Sequence, residues 1–301
     1  MLERPPSNIS IRRGKNVPGN CEIAVIVIST NSDPLARRAA QSILNNTHPC
    51  ELVVVNTGKG SLKPIIHDIL DNLVLIECPQ RHYAGGSRNL GIGVTSSPII
   101  AFLAADCIAP SDWIGRRLDA HETNDLVPSS LLPAHPKDGK LTNTCWASYF
   151  STHFERIPGM PAGLGKPFGL SYNRKIFDKY GLYDPSLRTG EDSEYNARIP
   201  TYGQLSPLTQ VVTLHSYPER LGDAINIQYR RGVHEYRFSK FRYNRSRTVT
   251  AARTLKRALL AFLWIVKNNS EHSKKIRKST HILAALIFVR ILGNIFSTDR
   301  A

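Results

Sequence analysis

The sequence predicts an α/β fold with a mixed, mainly parallel sheet, helices on both of its faces, and a basic, apolar helical extension at the C-terminus. Short β-branched apolar runs alternate with helical patterns from residue 22 to residue 104, which is typical of a doubly wound parallel sheet. Charge indicates the extension, because residues 221–301 contain 17 Lys or Arg and only 4 Asp or Glu. The first 220 residues are nearly balanced, with 22 basic and 20 acidic side chains.

Each element is predicted from the position of an apolar run. Parallel strands are predicted at 22–29, 51–55, 73–76 and 98–103, and the helices between them at 35–44, 62–70 and 87–94. Next we expect a helix at 111–121, a loop with a strand near Leu131 at 124–140, and irregular chain at 144–169. The predicted domain ends with a strand at 170–172, helices near 174–180 and from Glu191, and a strand at 211–214.

Length and composition limit the class of protein. A chain of 301 residues and 33.6 kDa holds one large domain and an extension, so we predict a loose lead-in at 1–20, a domain at 21–236 and a helical tail at 237–301. The 41% hydrophobic and 21% charged residues exclude collagen-like, coiled-coil and wholly disordered chains. The five cysteines form no Cys-x-x-Cys pair, and the N-terminus lacks a signal-peptide core. We therefore expect reduced thiols and a cytoplasmic protein.

The tail combines cations with apolar side chains. Residues 229–247 interleave Arg and Lys with Tyr and Phe, and apolar stretches follow at 255–266 and 282–296, the second interrupted by Arg290. Both stretches are shorter than the roughly 20 residues that span a bilayer, so we predict peripheral attachment to an anionic membrane surface on the cytoplasmic face. Two alternatives stay open: helices that pack on the domain or on a second copy, and a nucleic-acid-binding arm. Nucleic acid is the weakest option, because it requires little apolar surface.

Polar side chains directly follow the predicted strands, where doubly wound sheets bind their ligands. Thr30 and Asn31 follow the first strand, Asn56 follows the second and Asp106 follows the fourth. A Gly-Gly pair at 85–86 precedes a helix, which suits the approach of an anion, although a plain turn explains the pair better when it is taken by itself. The candidate site therefore lies at the carboxyl edge of the sheet.

An ordered series of segments resembles the family 2 glycosyltransferases, which have a GT-A fold. The segments are IVISTNSDP, VVVNTG, AGGSRNLGIGVTSSPIIAFLAADC, FGLSYNRKIFDKYGLYDPSLRTGED and a late strand ending at His215, over residues 22 to about 236. The resemblance implies a GT-A domain that transfers a sugar, with inversion, from a nucleotide-diphospho-sugar to a hydroxyl acceptor. It also implies a saccharide or lipid-linked acceptor, and a role in bacterial polysaccharide or glycolipid assembly.

Asp106 resembles the second Asp of the family's metal-binding Asp-x-Asp motif, and Ala104 replaces the first Asp. A hard divalent cation that bridges two phosphates needs oxygen ligands of this kind. The resemblance therefore implies a Mn²⁺ or Mg²⁺ ion at Asp106, with His215 as a further ligand that suits Mn²⁺ better. Without the family pattern, Asp106 would be an ordinary residue at a strand end and His215 a structural hydrogen-bonding residue.

Glu191 and Asp192 resemble the Glu-Asp pair that supplies the family's general base at a helix start. A hydroxyl that attacks an anomeric carbon must lose its proton, and a carboxylate within hydrogen-bond reach accepts it. The resemblance assigns the base to Asp192, with Glu191 positioning the acceptor or the base. The alternative is that both acids only complement the dipole of the helix.

The donor side is implied by residues that resemble the family's nucleotide contacts: Thr30, Asn31, Asn56, Arg88 and Asn89, together with Asp106. Asn56 replaces the Asp that recognises the base in the family, and its carbonyl still accepts from a uracil N3–H. A UDP-sugar is therefore the favoured donor. Ala104 and Asn56 together also raise the alternative of a catalytically impaired protein that binds a sugar nucleotide or acts as a scaffold.

Overall fold

The computed structural model describes residues 8–135 and 140–297. The chain divides into two compact units. Unit 1 contains the chain up to Ser130 and Pro167–Leu214, and unit 2 contains Leu131–Lys166 and the chain from His215 onward. This division differs from the predicted boundaries, because the segment 131–166 groups with the C-terminal helices rather than with the sheet. The predicted boundary at residue 236 also falls inside a helix.

The sheet has nine strands among the described residues: β1 (Ser10–Arg13), β2 (Ile23–Thr30), β3 (Glu51–Thr57), β4 (Val74–Cys78), β5 (Ile99–Ala104), β6 (Cys107–Ile108), β7 (Leu126–Pro133), β8 (Phe168–Asn173) and β9 (Val212–His215). Their order across the sheet is β1-β4-β3-β2-β5-β8-β7-β9-β6. Strands β4, β3, β2 and β5 are parallel, while β1 and β8 pair antiparallel with β4 and β5. The sheet is therefore mixed, as predicted.

The helices of unit 1 are α1 (Leu35–Leu44), α2 (Ala84–Gly93), α3 (Trp113–His121), α5 (Lys175–Tyr180) and α6 (Glu191–Ala197). Those of unit 2 are α4 (Asn143–His153), α7 (Leu221–Tyr243), α8 (Arg247–Asn268) and α9 (Ser270–Phe296). One apolar cluster of unit 1 packs α1 and α3 on the sheet, and a second packs α5 and α6. Helices on both faces explain why β2 and β3 are apolar in continuous runs.

Three segments differ from the sequence predictions. Part of the expected loose lead-in forms β1, which adds an antiparallel edge to β4. The predicted helix at 62–70 is wrong, because this segment consists of turns and a short 3-10 helix at Leu70–Asn72. Pro64 disfavours helical geometry in the residue before it, although Leu62 and Ile66 are fully buried as the pattern required.

The predicted irregular chain at 144–169 is also wrong at its start, where α4 begins. The Thr142 hydroxyl caps this helix by accepting from the Cys145 backbone N–H at 3.1 Å. A 3-10 turn at Phe154–Arg156 follows the helix. The buried side chains of α4 contribute to the core of unit 2, which the polar and glycine-rich sequence around the helix did not indicate.

Unit 2 is built around close packing of α7 and α9. A Cβ on Gly232 would lie 2.0 Å from the Arg290 carbonyl oxygen, and a Cβ on Gly293 would lie 2.3 Å from the Tyr229 carbonyl oxygen. Only glycine permits helix backbones to approach this closely. Helix α9 also packs against α4 and α8, so it forms the centre of unit 2.

Candidate functional site

The loops after β2 and β3 are joined by two asparagines of the predicted donor site. The Asn56 side chain is fully buried, and its Oδ1 accepts from the Ser32 backbone N–H at 3.0 Å while its Nδ2 donates to the Gly60 carbonyl at 3.2 Å. Asn31 has a left-handed backbone, with φ of 55°, and its Oδ1 accepts from the Lys59 N–H at 3.0 Å. The polar atoms of Asn56 thus hold the loop geometry, and a direct contact with a nucleobase stays a prediction.

Thr30 and Asp106 lie at the carboxyl edge of the parallel strands, as predicted. Thr30 is the last residue of β2, is exposed, and pairs in register with Thr57 of β3. Asp106 lies in the turn between β5 and β6, is half-buried, and directly follows Ala104 and Ala105. The structure thus brings a hydroxyl and a carboxylate to the sheet edge where a donor would bind.

His215 is the last residue of β9, the strand next to β6 in the sheet order. Strand β9 is fixed in unit 1 by Thr213, whose hydroxyl accepts from the Trp113 indole N–H at 2.9 Å and donates to the Ser129 hydroxyl at 3.1 Å. The carboxylate of Asp106 and the imidazole of His215 are donor types that can hold a metal ion such as Mn²⁺. The donor set therefore fits the implied cation.

Arg88 joins the predicted donor side to Glu191, the residue before the predicted base. Its guanidinium donates to Glu191 at 2.7 Å and lies over the rings of Tyr183 and Phe102, with its Cζ 5.1 and 5.5 Å from their centroids. Burial opposes the Arg88 charge, yet the pKa of Arg88 is raised because Tyr183, Glu191 and Asp192 favour a cation. Glu191 is therefore held by a fixed positive charge, which suits the predicted positioning role.

Asn89 holds the segment that leads to α6. Its Nδ2 donates to the Tyr183 carbonyl at 2.8 Å, and its Oδ1 accepts from the Tyr183 N–H at 3.1 Å. A Cβ on Gly85 would lie 2.8 Å from the Asp184 carbonyl, so this glycine permits close packing of α2 on the same segment. We therefore interpret Asn89 and Gly85 as framework residues, and the nucleotide contact of Asn89 stays a prediction.

Asp192 is the second residue of α6. The preceding Gly190 is left-handed with φ of 81°, and this geometry starts the helix directly before the two acids. Glu191 is buried, whereas Asp192 is half-exposed and its Oδ1 accepts from the Ser193 backbone N–H at 2.8 Å. The two acids thus differ: one is engaged by Arg88, and the other is accessible and close to the positive end of a helix.

Tyr183 was missed by the sequence reasoning. Its ring lies beside Arg88, its backbone pairs with Asn89, and burial raises its pKa to about 12. The signal was present in YGLYDPSLRTGED, where an aromatic residue follows a glycine a few positions before the Glu-Asp pair. The sequence indicated the acids but not the Tyr183 ring, which lies beside the guanidinium that pairs with Glu191.

The tail of unit 2 carries an exposed apolar surface. Leu255, Leu259 and Leu263 on α8 are 52%, 55% and 55% exposed, and Phe288 on α9 is 60% exposed. Arg290, which was expected to interrupt the apolar stretch, instead points inward and donates to Glu235 and to the Ser151 carbonyl at 2.9 Å each. Arg290 therefore does not interrupt the exposed apolar side of α9.

The expectation that both apolar stretches are too short to span a bilayer is wrong for α9. Among the described residues, Glu271–Phe296 is the one helix long and apolar enough to cross a membrane, with a mean hydropathy of 1.6 in its best window. This finding concerns length and composition alone. Of the residues in that window, 28% are buried within the protein.

Comparison with known proteins identifies relatives of this chain. The family model for glycosyl transferase family 2 matches residues 24–181. Glycosyltransferase AglE of Haloferax volcanii is 22% identical over 286 residues, which cover 90% of each chain. This relative is archaeal, so the expected bacterial setting is not supported by it.

One solved structure, at a TM-score above 0.5, shows the same fold, and a second is reported beside it. The mannosyltransferase PcManGT of Pyrobaculum calidifontis, solved with GDP-Man and Mn²⁺, has a TM-score of 0.58 at 15% identity and covers 98% of this chain and 91% of its own. S. aureus TarS 1–349, solved with UDP-GlcNAc, has a TM-score of 0.49 at 13% identity and covers 91% and 84%. The predicted GT-A fold is confirmed.

Proposed function

The chain belongs to glycosyl transferase family 2 and is a nucleotide-sugar-dependent glycosyltransferase; we propose that it inverts the anomeric centre and acts in polysaccharide or glycolipid assembly. The acceptor is the hydroxyl of a saccharide or of a lipid-linked molecule. The observation that carries this proposal is the arrangement at α6, where Arg88 engages Glu191 and leaves the neighbouring Asp192 half-exposed.

The reaction is a single displacement. Asp192 accepts the proton of the acceptor hydroxyl while the hydroxyl oxygen bonds to the anomeric carbon. The bond between that carbon and the phosphate oxygen breaks, and the electron pair leaves with the nucleoside diphosphate. Glu191, held by Arg88 at 2.7 Å, positions the acceptor or the base without taking the proton.

The donor is bound at the carboxyl edge of the sheet. Thr30, Asn31 and Arg88 lie on the donor side, while Asn56 and Asn89 hold the loops in place. Asp106 and His215 would hold a divalent cation, Mn²⁺ or Mg²⁺, whose charge stabilises the departing diphosphate. Because Ala104 supplies no second carboxylate, we expect Mn²⁺, which accepts imidazole, to support activity better than Mg²⁺.

The tail attaches the enzyme to an anionic membrane on its cytoplasmic face. Helix α9 has a buried side, held by Arg290 and Glu235, and an exposed apolar side that includes Phe288. A helix with two such sides suits attachment in the plane of the interface, with the basic side chains at the headgroups.

A donor panel tests the proposed activity. UDP-, GDP- and dTDP-sugars are incubated with the full chain in Mn²⁺, Mg²⁺ or EDTA, and both thermal shift and release of nucleoside diphosphate are measured. We expect one donor class to stabilise the protein and to be hydrolysed slowly, with loss of both effects in EDTA. Stabilisation without turnover by any donor would instead support the impaired sugar-nucleotide-binding alternative.

A further inference from the structure

A cavity of about 400 Å³ opens between α8 and α9 in unit 2. Phe150 of α4 and Phe154 of the following turn form its floor, and Leu255, Leu259, Ala284 and Phe288 belong to its walls. Two leucines and Phe288 are more than half exposed, so the cavity is a groove that opens to the surface. We call it the α8–α9 groove.

The chemistry of the groove selects its occupant. Among the residues that the structure describes, Thr280 is the only polar one that lines the groove, and the Thr280 hydroxyl donates to the Ile276 carbonyl at 2.9 Å within α9. An extended peptide in the groove would leave its backbone N–H and C=O groups without partners, which costs free energy. A hydrocarbon chain has no such polar groups and can therefore bind against the apolar lining of the groove.

Charge disfavours a second copy and favours an anionic molecule. Helices α8 and α9 together contain ten Lys or Arg and one acidic residue, Glu271. Two copies that met through these helices would bring the same excess of positive charge together, which is unfavourable. An anionic lipid is attracted to the same surface.

Cations concentrate next to Phe154, one of the residues that line the groove. The neighbouring Glu155 carboxylate is shared by Lys166, at 3.1 Å, and by Arg257 of α8. The Arg290 guanidinium lies over the Phe154 ring, with its Cζ 5.9 Å from the centroid. Two cations thus share one carboxylate beside an apolar wall, a setting that suits a phosphate attached to a hydrocarbon chain.

We propose that the α8–α9 groove binds the hydrocarbon chain of a lipid phosphate, with the phosphate at Lys166 and Arg257. The lipid phosphate carries the saccharide whose hydroxyl accepts the sugar, so the acceptor class is a lipid-phosphate-linked saccharide. This acceptor role rests on the glycosyltransferase function proposed above, whereas binding of the lipid itself does not.

Tryptophan quenching tests the groove. The probe is tetradecyl phosphate brominated near the middle of its chain, added below its critical micelle concentration to the full-length Trp264→Phe protein. The reporter is Trp146, whose ring stacks on Phe150 at 5.8 Å, while Trp113 is buried in unit 1. We expect saturable quenching of Trp146 fluorescence. Ala284→Phe, which fills the groove, should lower the affinity for the probe at least tenfold.

Ala285→Phe is the matched control for the groove. Ala285 lies on α9 beside Ala284, is also exposed and does not line the cavity, so this change should alter the affinity less than twofold. For the phosphate end, Arg257→Gln should weaken tetradecyl phosphate about tenfold and leave brominated tetradecanol unchanged. Lys256→Gln, which removes the neighbouring exposed charge, should change neither affinity by more than twofold.

The proposal would be overturned if quenching did not saturate, or if Ala284→Phe and Ala285→Phe changed the affinity for the probe equally. It would also be overturned if quenching occurred only with phosphatidylglycerol vesicles, or if quenching was lost as the protein dimerised. Equal affinity for the alcohol and the phosphate would overturn the phosphate end. The proposed function is tested separately from the lipid site. If the protein binds the probe but hydrolyses no sugar nucleotide, the proposed function is contradicted and the lipid site still stands.

Discussion

At the scale of single residues, the ion pair between Arg88 and Glu191 holds the candidate active site together. Both side chains are mostly buried, with exposed fractions of 18% and 11%, and two aromatic rings lie beside the Arg88 guanidinium. A buried pair adds little net stability, but removing one member leaves an uncompensated charge. The pair therefore fixes geometry more than it stabilises the fold.

Arg88→Met should lower the free energy of unfolding by about 3 kcal/mol, because it leaves the Glu191 carboxylate buried without its partner. The double variant Arg88→Met/Glu191→Gln should recover most of this loss. Urea denaturation of the wild type, both single variants and the double variant measures the coupling. If the double variant instead loses the sum of the two single-variant losses in unfolding free energy, the loss in Arg88→Met does not come from an unpaired Glu191 carboxylate.

His121 couples stability to pH in unit 1. Its Nε2 lies 2.8 Å from the Ser171 hydroxyl, which also accepts from Arg117, and burial lowers the His121 pKa to about 4. As pH falls below about 6.5, the unfolded chain binds a proton that the folded histidine excludes, so stability is lost between about 6.5 and 4.

The test compares the wild type with His121→Gln, which cannot titrate. The difference in unfolding free energy between the two proteins should fall by about 2 kcal/mol from pH 6.5 to pH 4.5. A constant difference over this range would show that His121 is protonated equally in the folded and unfolded states.

At the scale of elements, glycine sets the distance between α7 and α9. Gly232→Ala should lower the free energy of unfolding by about 3 kcal/mol, because the new Cβ would lie 2.0 Å from the backbone oxygen of Arg290. Gly222 also lies in α7, but a Cβ there meets no atom within 4 Å. Gly222→Ala is thus the matched control and should be neutral or slightly stabilising; equal losses would contradict close packing at Gly232.

The elements that periodicity predicted best are those whose pattern and burial agree. Helix α1 falls at Leu35–Leu44, the predicted residues, because its buried alanines recur at helical spacing. At 62–70 the apolar spacing correctly predicted burial, but the segment forms turns rather than a helix, and Pro64 disfavours helical geometry in Lys63. Other features depend on tertiary contacts that the sequence does not show. An example is the inward orientation of Arg290 toward Glu235.

The positions of the acidic residues in the candidate site could be predicted from the sequence, but the residues that pair with them could not. The position of Asp106 after a strand and of Asp192 at a helix start followed from local patterns. The pairing of Arg88 with Glu191 joins positions 103 residues apart, and a single sequence carries no signal for such a contact. The framework role of Asn89 depends on the same long-range packing.

At the scale of the whole molecule, the formal charge of +15 is concentrated where the apolar surface is exposed. Leu263→Glu should reduce binding to phosphatidylglycerol vesicles at least tenfold, because it removes a 55% exposed leucine and adds a negative charge. Leu263 does not line the α8–α9 groove, so this change tests the surface alone. Leu221→Glu on α7, where Leu221 is 45% exposed, is the control; equal vesicle sedimentation of both variants would contradict attachment through α8.

The role of Asp192 as general base is the central claim, and the kinetics of Asp192→Asn test it most directly. The variant should transfer sugar at least about 100-fold more slowly while binding the donor with an affinity within about threefold of the wild type. Glu194→Gln, which changes a carboxylate two positions along α6, should keep both properties within about threefold. Transfer by Asp192→Asn above a tenth of the wild-type rate, or a parallel loss of donor binding, would contradict the assignment.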